Sequence, residues 1–197
     1  MGEKGERRRQ ELLQIAYRLF TEKGYDNTSI DEIIAAAGIA KGTYYYHFPS
    51  KEATLEAVVD MMLSEEIAQA KAIVSAPLPV PQKIAAVIMA IHPKQEEISI
   101  ANALEAKENI VLHDKLNKRV IEEAVPLLAE IVQEGISQGI FCCGQVPERV
   151  RMLLMMSMQM FDDSAFTEND ITVFIDMTEK MLGAQPGTMA FLRALIH

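Results

Sequence analysis

Residues 28–51 read TSIDEIIAAAGIAKGTYYYHFPSK, and this stretch decides the fold. Thr28 and Ser29 offer side-chain oxygens at a helix start, and Asp31 and Glu32 follow three residues after each, the spacing of a capping box. Ile30, Ile33, Ile34 and Ala37 then form an apolar stripe, Gly38 supplies the positive φ that ends a helix, and Ile39 plugs the turn. Lys41 to His47 make a second, very short helix. Two helices around a short glycine-containing turn are a helix-turn-helix, whose second helix can enter the major groove of DNA. The second helix has the wrong surface for a buried element. Tyr44, Tyr45 and Tyr46 span almost a full turn, so they cannot all face one core. Phenol hydroxyls, the His47 imidazole and the Lys41 ammonium all suit phosphate oxygens.

The longer run AAAGIAKGTYYYHFPSKEATL, residues 35–55, resembles the DNA-binding domain of the TetR family of bacterial transcriptional regulators. The KGT-aromatic-Tyr-aromatic-His-Phe pattern followed by Ser-Lys-Glu carries the resemblance, which covers roughly the first quarter of the chain. It implies DNA contacts by Lys41, Gly42, Thr43, Tyr45, Tyr46, His47 and Lys51, to which Thr28 and Ser29 add a helix N-terminus facing phosphate. Tyr44 stands where the family has an apolar, inward residue, so its ring is expected to be buried with its hydroxyl reaching an edge. Pro49 stands where a basic or polar residue is common, which removes one expected phosphate contact.

A net charge of −9 argues at first against DNA, but its distribution resolves the conflict. Residues 1–50 balance seven Lys/Arg against seven Asp/Glu, and the remaining twelve against twenty-one carry the whole −9. Lys4 and Arg7 to Arg9 fit phosphate contact or a solvated helix start equally well. Nothing resembles a signal peptide, and no apolar run reaches the roughly 18 residues of a membrane span, so a cytoplasmic protein with no membrane partner is expected. The two cysteines, Cys142 and Cys143, are adjacent and poorly placed to pair, which suits a reducing compartment.

Taken in order, the chain reads as all-α. Helices are expected over 3–23, about 51–74, 82–91, 96–111 with a break near His113-Asp114, 114–138 with a kink at Pro126, 147–163, 168–182 and Met189 to Ile196. Alternating prolines over 75–82 and His92-Pro93 mark breaks, Pro147 opens one helix, and Thr167 with Asp170 caps another that Gly183 ends. Residues 1–50 are then a three-helix helix-turn-helix domain and 51–197 an effector-binding and dimerisation domain. The apolar surface of 147–163 exceeds a one-sided stripe and must be covered on more than one side. The resemblance implies that helices 147–163 and 168–182 pair with their copies in a homodimer, which would read a palindromic operator in double-stranded DNA.

Five methionines lie between 152 and 160, and Met155 and Met158 are candidates to line a lipophilic effector pocket. Asn102, Glu105, Asn109 and His113 are candidates to orient the same small molecule. No nucleophile, base and orienting group stand together, and His47, His92, His113 and His197 lack metal-site spacing, so neither catalysis nor a cofactor is expected. The reading is a repressor released from operator DNA by a small lipophilic effector. An activator, or a ligand-independent regulator of the same fold, is the alternative.

Overall fold

The computed structural model describes residues 2–92, 94–161 and 166–196. Met1, Pro93 of the expected break, residues 162–163 of the expected helix 147–163, and His197 lie outside them. The described residues form α1 (Glu3–Lys23), α2 (Ile30–Ala37), α3 (Lys41–His47), α4 (Lys51–Val74), α5 (Val80–Ala90), α6 (Ile98–Glu105), α7 (Ile110–Ser137), α8 (Val146–Phe161) and α9 (Glu168–Leu182). Three short 3-10 turns, at Gln95–Glu97, Lys107–Asn109 and Ala190–Ala194, complete an all-helical chain. No helix among the described residues is long and apolar enough to cross a membrane.

The chain divides into two compact units, Met1–Glu65 with Pro93–Asn117, and Glu66–His92 with Lys118–His197. In the first unit, Leu12, Leu13, Ala16, Leu19 and Phe20 bury one face of α1. Ile33 of α2, Tyr44 of α3, and Leu55 and Val58 of α4 share that core. So do Ile100, Ala103 and Leu104 of α6, although some eighty residues of chain separate them from α1. The joint is also polar. The Tyr17 hydroxyl donates to Glu97 Oε1 at 3.0 Å, and the Lys94 N–H donates to Glu97 Oε2 at 2.9 Å, so the buried carboxylate is held at both oxygens. Burial first, then the hydrogen bond to Glu97, pushes the Tyr17 phenol well above its ordinary value.

The structure corrects the expected break at His113-Asp114. The chain turns at Ala106–Asn109 instead, and α7 runs unbroken from Ile110 through 113 and 114. Ala106 is extended, and the Asn109 side chain turns inward to donate to the Ala103 carbonyl at 2.7 Å, a local bond that competes with helix continuation. α7 also continues through Pro126 to Ser137.

In the second unit, Val74, Ile84, Ile131, Val150, Phe174 and Leu192 bring α4, α5, α7, α8, α9 and the C-terminal 3-10 turn into one buried cluster. Helix formation resumes at Val80, two residues earlier than expected, because Pro79 is the N-cap and Pro81 falls in the first turn, where no N–H is required. α8 starts one residue early, at Val146. The expected C-terminal helix is a 3-10 turn, whose preceding Met189 N–H donates to Glu179 Oε1 at 2.8 Å.

Lys83 is buried in this unit, and its Nζ donates to the Val74 carbonyl at 2.9 Å and to Glu134 Oε2 at 2.7 Å. The ammonium thus ties the end of α4 to α5 and α7. Lys83→Met keeps the aliphatic stem but strands a carbonyl and a half-exposed carboxylate. The expected cost is about 1–3 kcal/mol, read as a lower urea midpoint at unchanged slope.

Candidate nucleic-acid interface

The helix-turn-helix is fixed by local chemistry. The Ser29 hydroxyl accepts from the Glu32 N–H at 3.2 Å, and Glu32 Oε2 accepts from the Ser29 N–H at 2.8 Å and its hydroxyl at 2.9 Å. This reciprocal pair starts α2. Glu32 also accepts from Lys23 Nζ at 2.8 Å, and that bond, with those from Ser29, holds its carboxyl down at about 2. The other candidate cap behaves differently. Thr28 is buried, and its hydroxyl donates to the Gly24 and Leu19 carbonyls at 2.8 and 3.2 Å. Two adjacent caps were open on the sequence; burial assigns the role to Ser29. The α2 N-terminus already holds an ionised carboxylate, and neither Thr28 nor Ser29 has an idle oxygen or N–H there for phosphate. Gly38 closes α2 in the left-handed region, at φ 60°.

α3 sorts its side chains sharply. Tyr44 is fully buried, and its hydroxyl meets Thr54 Oγ1 at 2.5 Å. The ring is buried as the sequence suggests, but the hydroxyl ends inside the core rather than at an edge, because Thr54 of α4 is itself fully buried. Burial pushes this phenol above its ordinary value. Tyr45 and Tyr46 point outward, 42% and 71% exposed. Lys41 and Gly42 are exposed, and Thr43 and His47 are half-buried. The His47 ring stands edge-on to Tyr46, with centroids 5.0 Å apart, and its Nδ1 is buried without a partner among the described residues. A Cβ built on Gly42 would meet nothing within 4 Å.

The basic groups are lightly held. Lys41 Nζ lies 3.2 Å from Asp31 Oδ1, a pair exposed on both sides and worth at most about 1 kcal/mol. Lys51 Nζ sits 4.2 Å over the Tyr25 ring and 3.4 Å from the Asp26 carbonyl. One neighbour has no local sequence signal. The Arg9 guanidinium carbon lies 5.2 Å from the Phe48 ring centroid, at the end of α3.

The effector candidates do not gather within one unit. Asn102, Glu105, Asn109 and His113 belong to the first unit, and Met155 and Met158 to the second. Asn109 is buried, and its side-chain amide donates to the Ala103 carbonyl at 2.7 Å. Asn102 and Glu105 are exposed, and half-buried His113 meets the Asn117 amide at 3.3 Å. Met155 is 53% exposed, and Met158 is half-buried. Among the described residues, no three His, Cys, Asp or Glu side chains are grouped to hold a metal ion.

A capped helix, a left-handed glycine turn and a short second helix with an outward tyrosine face define a helix-turn-helix DNA-binding protein. Residues 12–58 match the profile described as bacterial regulatory proteins, tetR family. The repressor KstR2 of Rhodococcus jostii is 30% identical over 142 residues, 68% of each chain. YvdT of Bacillus subtilis, an uncharacterised transcriptional regulator, is 39% identical over 62 residues, but the match spans only 32% of each chain. Among solved structures, RolR in complex with resorcinol superposes with a TM-score of 0.62 at 22% identity, covering 100% of this chain and 96% of that one. A regulator from Cytophaga hutchinsonii gives 0.61 at 18% identity, over 88% and 94%. The chain belongs to the TetR family. It is a DNA-binding transcriptional regulator, and the family is not enzymatic.

Proposed function

We propose that the protein is a homodimeric repressor that leaves operator DNA when a small lipophilic effector binds. The observation that carries the DNA-binding half is the sorting of α3. One tyrosine is locked inward while Lys41, Gly42, Tyr45 and Tyr46 stay on the outer surface. Gly42 adds to it. It stands in the first turn of α3, where a Cβ would meet nothing within 4 Å, so packing within the unit does not call for glycine, whereas close approach of backbone to a partner does. Lys41, Gly42, Thr43, Tyr45, Tyr46, His47 and Lys51 are the proposed DNA contacts; Thr28 and Ser29 are not, since both are committed internally.

Repression is favoured by likeness to KstR2, named a repressor, and release by a small molecule by the resorcinol that RolR, of the same fold, holds. Met158 is the candidate kept for effector contact. The protein acts in the cytoplasm, where the operator is. For the dimer, Met152 and Met155 on α8, and Val173 and Met177 on α9, leave large apolar groups exposed at helical spacing in the second unit. A second copy covering them would bring two recognition helices to one palindrome. Met155→Glu is expected to shift the protein from dimer to monomer in sedimentation equilibrium at micromolar concentration, with helical content retained. A variant that stays dimeric would place the interface elsewhere.

The deciding experiment is selection of random duplex DNA on the purified protein at two salt concentrations, read by sequencing. Enriched palindromic half-sites support an operator-binding dimer. Weak, sequence-independent binding that vanishes with salt would sink the reading.

A further inference from the structure

We propose that Arg9, outside the helix-turn-helix, is a DNA-backbone ligand held in place by the Phe48 ring. The proposal rests on the DNA-binding reading above and adds a contact to it. The basic run at the start of α1 is equivocal as sequence, but the structure separates its members. Arg7 Nε lies 3.8 Å from Glu11 Oε1 and Arg8 Nη1 2.8 Å from Glu11 Oε2, so one carboxylate serves both. Arg9 points the other way around the helix. It is half-buried, pairs with no carboxylate among the described residues, and rests its guanidinium carbon 5.2 Å from the Phe48 centroid.

Phe48 is the C-cap residue of α3 and is itself fully buried, packed 6.0 Å from Tyr44 by ring centroids. The ring is therefore a fixed platform, and a guanidinium resting over it loses little freedom when it acquires a second partner. A cation held over an aromatic face is attracted by its charge and keeps its N–H donors for oxygen acceptors such as those of phosphate. The position also matters. Arg9 stands beside the end of the helix that carries Tyr45, Tyr46 and His47, so a duplex engaged by α3 brings its sugar-phosphate chain near. Lys41 and Lys51, by contrast, already touch Asp31 and the Asp26 carbonyl and must exchange a partner.

A purely structural role is the competing account: a cation at the C-terminal end of α3, resting over an aromatic, stabilises the unit without touching DNA. The two accounts differ in salt dependence. Arg9→Met keeps a flexible apolar stem over Phe48 and deletes the charge; Arg9→Gln is a second neutral variant, and circular dichroism identifies which is folded. Affinity of the full-length protein is then measured across a salt series, for the selected operator and for a scrambled duplex. Loss of one phosphate contact per subunit should reduce the slope of log K against log salt by about 0.9 per subunit, and weaken both duplexes by the same factor, because phosphate carries no sequence. An unchanged slope in a folded neutral variant overturns the proposal, whether or not thermal stability falls. A loss confined to the operator overturns it too, since that would be base readout. If the wild-type protein enriches no palindrome, it is the underlying DNA-binding reading that fails, and the slope on the scrambled duplex still decides Arg9.

Discussion

Tyr44→Ala is expected to destabilise the first unit by about 3–5 kcal/mol, whereas Tyr45→Ala, one residue along, should leave stability nearly unchanged and cost operator affinity tenfold or more. The contrast follows from where the two phenols go. Tyr44 is fully buried between Phe48 and Thr54, with ring centroids 6.0 Å apart on one side and a 2.5 Å hydroxyl contact on the other. Truncation removes a whole ring from the packed core that also holds Phe20, Ile33, Leu55 and Val58, and leaves a void there. Thr54 would not be stranded, because its hydroxyl also reaches the Ser50 carbonyl at 3.1 Å. The loss is therefore mainly packing, and Tyr44→Phe should cost only about 0.5–1.5 kcal/mol. Tyr45 is 42% exposed and meets the Tyr44 ring edge-on at 5.4 Å, so its removal opens no cavity. The checks are denaturant midpoints for stability and titration of the selected operator for affinity. If Tyr45→Ala binds operator as tightly as wild type, the outward face of α3 is not the recognition surface. If Tyr44→Ala keeps its stability, the buried placement of that ring is wrong.

The parts of this fold that the sequence discloses are those written in adjacent residues. Thr167 and Asp170 form the expected capping box, with the Asp170 N–H donating to Thr167 Oγ1 at 3.3 Å and the Thr167 N–H donating to Asp170 Oδ2 at 2.8 Å. α1, α3, α4 and α9 keep the expected ends, because glycine, proline and hydroxyl residues mark them. Inward Tyr44 is legible through family resemblance; helical periodicity alone leaves three equal tyrosines. What is not legible is non-local. Nothing near Ile98–Glu105 says that this helix joins the core of α1, since its partners lie some eighty residues upstream. Lys83 reads as a surface lysine until Glu134 and the Val74 carbonyl are brought to it. The Arg9 contact depends on Phe48, thirty-nine residues later. Thr28 against Ser29 is subtler: both oxygens suit a cap, and only the carbonyls of Leu19 and Gly24 decide between them.

Gly183→Ala is expected to destabilise the second unit by about 2–4 kcal/mol, more than Gly139→Ala does. Both glycines occupy the left-handed region, with φ of 64° and 72°, so both substitutions carry the same strain of about 1 kcal/mol. Their surroundings differ. A Cβ on Gly139 meets nothing within 4 Å, whereas one on Gly183 would lie 2.2 Å from the Cys142 carbonyl oxygen and 2.8 Å from its carbon. Those are backbone atoms, and no rotamer change can clear them. The Cys142 N–H meanwhile donates to the Leu182 carbonyl at 3.0 Å, so the linker between α7 and α8 is pinned to the end of α9. An added methyl must break that bond or move α9. Movement there would also disturb α8 and α9, which carry the exposed Met152, Met155, Val173 and Met177 of the proposed subunit contact. Gly183→Ala should therefore weaken dimerisation as well as lower the urea midpoint, while Gly139→Ala lowers the midpoint slightly and leaves the dimer intact. Equal midpoints for the two variants would mean that the linker yields freely, and that the clamp at Cys142 does not hold α8 and α9 in register.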